Sequence, residues 1–164
     1  MSTGNHSGDR QERVTKLALI GVFTGLLAVF APSRKSKTAL NISTLDAAML
    51  SLSAFRVGRM TAYDLVAEPL REPFAETIDD PSGAGQTTTS VGEGARKVIG
   101  DLLTCPICAG TWASAGMVYG LRLAPGPTRL AMAIFSAAGA AELLNGAVEA
   151  MEWSAQHNRE KAGE

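Results

Sequence analysis

Aromatic residues are scarce, at 5% of the 164 residues. A water-soluble core of this size ordinarily leans on their large apolar area, so the scarcity argues against one. Cysteine and histidine each occur twice. His6 and His157 sit in the terminal tails, so one chain does not supply the four clustered ligands of a closed zinc site. Neither sign of charge dominates: 15 basic and 16 acidic residues leave a net charge of −1. That balance gives no reason to expect the basic face that nucleic-acid binding requires, and nucleic acid is not expected among the partners. Gly-rich phosphate loops, histidine clusters, serine triads and internal repeats are missing too.

Glycine and alanine are abundant: glycine numbers 17, and alanine crowds the sequence from Ala109 onward. Small residues in apolar segments let membrane helices approach closely. The mean hydropathy, +0.09, averages over polar ends, a polar middle and apolar segments, so the local pattern decides. Residues 1–13 are polar and aperiodic and predict a disordered tail. Leu17 to Ala31 is uncharged. At roughly 22 Å of helix it is short for a hydrocarbon core of about 30 Å. Residues 14–31 are read as a first transmembrane helix or signal anchor; a cleaved signal peptide is the alternative.

A second apolar helix follows Ser43, whose spacing to Asp46 has capping-box form. Residues 77–95, rich in Gly, Ser, Thr and Asp, predict a flexible loop. A third apolar segment runs from Val98 to Ala124. There Ala109, Ala113, Gly116 and Gly120 share one helix face as candidates for close packing. Pro125 to Pro127 predicts a tight turn, Arg129 to Val148 a fourth apolar segment, and 154–164 a polar tail. The expected architecture is all-α: an integral membrane bundle of about four transmembrane helices, with a membrane domain over 42–153. With both termini in the cytoplasm, ten basic residues fall inside and five outside, as the positive-inside rule requires.

This topology gathers Arg56, Arg59, Asp64, Glu142 and Asn145 into the cytoplasmic half of the bundle. A carboxylate at membrane depth needs a partner or water. Glu142 is therefore expected to pair with Arg56 or Arg59; a proton or cation site is the functional alternative. At Cys105-Pro106-Ile107-Cys108 three readings stand: two small residues packing at a helix entrance, a zinc ion shared between the cysteine pairs of two chains, and a redox pair with Pro106 in a helix first turn. A cytoplasmic location favours reduced thiols.

Arg56-x-x-Arg59, Asp64, Pro69-x-Arg71 and Cys105-x-x-Cys108 followed by Trp112 resemble, in order and spacing, the family known as domain of unknown function 1360. The resemblance implies a small bacterial integral membrane protein without an assigned activity. It adds weight to Pro69, Arg71 and Trp112 without giving them roles. The favoured function is a structural or interaction component of a membrane assembly, not an enzyme. Its expected partners are the lipid bilayer and further copies of the chain or a larger complex. Ion handling through Glu142, and a cytoplasm-facing thiol or metal site, are the alternatives.

Overall fold

Ser43 and Asp46 close a reciprocal cap at the head of the helix on which the rest of the molecule is hung. Ser43 Oγ accepts the Asp46 N–H at 3.0 Å, and Asp46 Oδ2 accepts the Ser43 N–H at 3.3 Å. The computed structural model describes residues 5–30, 42–79 and 86–162. In chain order it contains α1 (Asn5–Phe30), α2 (Thr44–Tyr63), a 3-10 turn (Leu65–Ala67), the one-turn helix α3 (Glu68–Arg71), β1 (Ala75–Asp79), β2 (Gln86–Ser90), α4 (Ala95–Thr104), α5 (Pro106–Leu123) and α6 (Pro125–Ala162). Among the described residues the chain is mostly helical, with one small antiparallel pair of strands.

The core of the fold is α2 packed between α5 and α6. Glycine makes the approach possible. A Cβ on Gly58 would collide with the Pro106 carbonyl oxygen, one on Gly110 would lie 2.9 Å from Ala54 O, and one on Gly139 2.6 Å from Leu52 O. Backbone therefore meets backbone at two crossings, α2 with α5 at Gly58 and Gly110 and α2 with α6 at Gly139, where any side chain would hold the helices apart. Ser53, fully buried, donates to Met132 O at 2.9 Å and ties α2 to α6 between those crossings.

The same contacts fix direction. Ser53 lies beside Met132 and Arg56 beside Glu142, so α2 and α6 run parallel. Gly58 faces Pro106 while Ala54 faces Gly110, so α5 runs opposite to both. Helix α1 packs mainly on α4. Its Gly8 lies near Glu93, and its Phe23 ring meets Trp112 edge-on at 5.1 Å.

Several expectations are corrected. Residues 5–13, expected as part of a disordered tail, are the first turns of α1. An i,i+4 pair of Glu12 with Lys16 at 3.9 Å and the bond from Thr15 Oγ1 to Gln11 O support them. Residues 1–4 and the basic linker after Phe30 lie outside the described residues. The flexible loop expected at 77–95 contains strand residues: β1 and β2 pair antiparallel, with Thr77 opposite Thr88. The β-branched threonines that read as loop composition also suit a pleated ribbon. Gly92 and Gly94, at φ +89° and +61°, turn the chain from β2 into α4.

The third segment is not one helix. It breaks at Cys105, and α4 and α5 meet at 86°. Pro106 lacks the N–H an unbroken helix would need and forces Cys105 into an extended conformation, φ −97° and ψ 103°. Instead of a separate turn, Pro125 to Pro127 opens α6, with Ala124 as the break. The polar tail expected at 154–164 is helical through Ala162, continuing α6 with good helix formers. Gly116, expected at a packed face, meets open space, and Gly120 only accommodates Thr128 of the next helix.

Among the described residues, α6 is long and apolar enough to cross a membrane over Pro125–Arg159, and α4 with α5 meet that standard only as a bent pair. The expected count of four crossings is thus not established by length and composition.

The glycine crossings lead to a direct test. Gly58→Ala and Gly139→Ala should each destabilise the bundle by about 1–3 kcal/mol through overpacking. Gly116→Ala should be neutral or stabilise by up to about 1 kcal/mol through helix propensity. Unfolding of the three variants in mild detergent, followed by circular dichroism, checks the ranking.

Candidate functional site

The C-terminal end of α2 gathers most of the polar residues singled out in the sequence. Arg56 and Arg59, one turn apart, both reach across to Glu142 on α6. Arg56 Nη1 donates to Glu142 Oε2 at 3.4 Å, and Arg59 Nε bonds Glu142 Oε1. Arg56 Nη2 also bonds Asp64 Oδ2, just past the end of α2. One guanidinium thus bridges two carboxylates, and two arginines balance two acids. Arg59 further lies over the rings of Phe55 and Tyr63, at 5.8 and 5.3 Å from their centroids, within cation–π range.

Arg71 serves differently. It is buried, and its Nη1 donates to Thr61 O and Asp64 O, each at 3.0 Å. These carbonyls end α2, where the helix dipole is negative and acceptors are left without helical partners. Pro69, near the start of α3, suits the first turn that swings Arg71 beneath α2. Asn145 does not join this cluster: it is exposed and donates to Glu149 Oε1 at 2.7 Å on its own helix.

A second charged pair, missed in the sequence, binds the opposite end of α2 to α6. Arg129 Nε and Nη2 donate to Asp46 Oδ1 and Oδ2, both at 3.1 Å. This two-pronged geometry is the strong form of an arginine–carboxylate pair. The Arg129 hydrogen bonds, aided by the Ser43 N–H, hold the Asp46 carboxyl down at about 2. The capping-box spacing already marked Asp46; its second role depended on Arg129 lying at the same end of a parallel helix.

The cysteines stand at the α4–α5 break. Their sulfurs lie at disulfide distance, with Cα atoms 5.2 Å apart. The extended Cys105 folds its sulfur back over the first turn of α5, where it accepts the Cys108 N–H at 3.3 Å. Among the described residues no three His, Cys, Asp or Glu side chains cluster as metal ligands. Cys108 also lines a groove of about 510 Å³ between α1, α4 and α5, with Phe23, Leu102 and Trp112 as walls and Lys16 and Asp101 at its edge. Asp101 accepts hydrogen bonds from Ser90 Oγ at 2.6 Å and Lys97 Nζ at 3.1 Å. Burial pushes the Asp101 carboxyl up, and those hydrogen bonds with the neighbouring lysine charge outweigh it, leaving it below its ordinary value. The packing candidates Ala109 and Ala113 are half-buried on α5.

The run from α2 to α6 that carries both arginines, Asp64, Arg71, both cysteines, Trp112 and Glu142 matches the family described as protein of unknown function (DUF1360), over residues 49–148. The chain belongs to this family. It is similar to the sporulation protein YjcA of Bacillus subtilis (strain 168), with 29% identity over 106 residues, 63% of this chain and 90% of that protein. No solved structure matches it. The matched region leaves out α1 and the last turns of α6.

Two measurements follow from the ion pairs. In a double-mutant cycle, Glu142→Gln should couple to Arg56→Gln by about 1–2 kcal/mol. Its coupling to the more exposed Arg59→Gln should stay below about 1 kcal/mol; the reverse order would mean Arg59 carries the link. The depressed Asp46 carboxyl gives a pH signature. Its stabilising contribution is complete above the ordinary value of 3.8 and is lost as pH falls through about 2. Asp46→Asn should therefore flatten the dependence of stability on pH in that window, as measured by unfolding at stepped pH.

Proposed function

We propose that the chain is a multi-pass membrane protein that acts as a structural or interaction component of a membrane assembly rather than as an enzyme. The observation that carries this reading is the apolar outer surface of the helices. Leu17, Ile20 and Val29 on α1, Ile107 and Leu123 on α5, and Leu130, Ile134 and Leu144 on α6 are all exposed. In water such a surface would be an association liability; a bilayer covers it at no cost. The glycine crossings support the same medium, because membrane helices associate through close packing rather than through burial from water.

The apolar bodies of α1, α2, α5 and α6 are read as four crossings, with Asp46 and Arg129 at one surface. The directions of three of them support this: α2 and α6 run one way and α5 the other. Helix α4, with Arg96, Lys97 and Asp101 in ten residues, is read as lying along the opposite, cytoplasmic surface. The Arg56–Glu142–Arg59 cluster holds α2 and α6 in register near that surface. The likeness to a sporulation protein is consistent with a role in sporulation.

The cysteine geometry favours a second reading, a thiol site facing the apolar groove. A zinc ion shared between two chains belongs to this reading only when the sulfurs are apart and reduced, as metal ligands must be.

Three measurements on one membrane preparation test the proposal. The chain should resist alkaline carbonate extraction, and tags at both ends should be reachable only after the cells are opened. Co-purification in mild detergent should bring down a stable partner. Release by carbonate, or tags on opposite faces, would overturn the four-crossing reading. Modification of the cysteines by a thiol reagent without prior reduction, or about one zinc per two chains, would favour the second reading instead.

A further inference from the structure

Helix α6 has two faces with different sequence logic. The face turned to the bundle carries Met132, Ser136, Gly139 and Glu142, all buried or half-buried. The opposite face carries Leu130, Ile134, Ala137, Ala141, Leu144, Val148 and Met151, spaced in alternating steps of four and three residues. All seven are exposed, Leu144 at 68%. A repeat of four and three is the heptad of a coiled coil, with its seam following every 3.5 residues.

The residue types at the seam are ordered as well. Ile134, Ala141, Val148, Ala155 and Ala162 fall at position a, and Leu130, Ala137, Leu144, Met151 and Asn158 at position d. The large a residues are β-branched, and leucine occurs twice at d. This combination favours two parallel strands over three or four. We infer that the outer face of α6 is a self-association seam, which pairs with the same helix of a second copy as a parallel two-stranded coiled coil.

Lipid alone does not account for the pattern. A lipid-facing surface has no need of heptad order, yet only Leu143 and Trp153 among the large exposed apolar residues of α6 fall off the seam. The helix also continues to Ala162 through Glu149, Glu152, Arg159 and Lys161, residues suited to water rather than hydrocarbon. Every side chain described from Leu143 to Arg159 is exposed. A lone helical extension of about 14 residues is marginal in water, and a paired copy would hold it. Two copies inserted in the same sense are parallel by symmetry, so their seams face each other about a two-fold axis along the membrane normal. The seam is roughly 50 Å long and roughly 10 Å wide, which makes roughly 1,000 Å² buried in total, the scale of a specific interface.

This inference rests on the membrane-assembly reading and names one of its partners, a second copy of the chain. The test uses the full chain in phosphatidylethanolamine–phosphatidylglycerol vesicles. In a Cys105→Ala, Cys108→Ala background, one new cysteine is placed either on the seam, Ala155→Cys, or beside it on the back face, Gln156→Cys. Mild oxidation should cross-link the seam variant to a dimer at least about tenfold faster than the back-face variant. Leu144→Ala with Val148→Ala should lower the dimer fraction by about tenfold at unchanged helix content. Light scattering of the unmodified chain should give a dimer mass, which keeps the inference testable if the cysteine-free background folds poorly. Equal cross-linking at both positions, a monomer mass, or association untouched by the double substitution would overturn the seam. Carbonate extraction separates the two readings. A monomer that resists carbonate would sink the seam and spare the membrane reading, while a seam-specific dimer released by carbonate would do the reverse.

Discussion

The approach of backbone to backbone at Gly58, Gly110 and Gly139 is the constraint on which the remainder of the structure depends. With α5 and α6 drawn this close to α2, packed atoms of the three helices gain dispersion contacts along both crossings. The polar groups then follow. Glu142 lies within reach of Arg56 because Gly139, one turn earlier on α6, lies against Leu52 and Arg56 of α2. A larger residue at 139 would press on Leu52 O and the Arg56 side chain and move the carboxylate away from both arginines.

The charged pairs act as register marks on helices that are otherwise smooth. Asp46 with Arg129 at one end of α2, and Arg56 and Arg59 with Glu142 towards the other, lock two parallel helices against sliding and rotation. Desolvation offsets much of the Coulomb attraction in such pairs, so their larger contribution is to specify one arrangement among several close-packed ones. Arg71 adds a different device. Its buried guanidinium occupies the carbonyl end of α2, which stops that helix and joins the hairpin region to the bundle. Arg56, Arg59, Asp64, Arg71 and Glu142 thus hold one helix end, its partner and its cap.

The break at Cys105 performs two tasks. It turns the charged α4 away from the apolar α5, and it places both cysteines at the junction beside the α1 groove. A proline at the first position of α5 accounts for both. It ends the preceding helix and frees Cys105 to take the extended conformation from which its sulfur folds back over the new first turn.

What the sequence determined by itself was whatever local chemistry enforces. The Ser43–Asp46 cap, the apolar helices, and the polar cluster of Arg56, Arg59, Asp64 and Glu142 could be read from spacing and composition. So could the demand of Glu142 for a partner or water, because a carboxylate left unmatched among apolar residues is costly. The direction of α4, the hairpin within a threonine-rich segment, the role of Arg71 and the second duty of Asp46 were decided by the tertiary structure. Each depends on which surfaces meet. Gly116 and Gly110 are equally small in the sequence, and only the placement of α2 makes Gly110 the crossing point. Asn145 has the same polarity whether it faces the cluster or Glu149; its position around α6, fixed by the Gly139 contact, directs it outward. Spacing along a chain sets which residues share a face, but the partner of that face is set by packing between elements far apart in sequence.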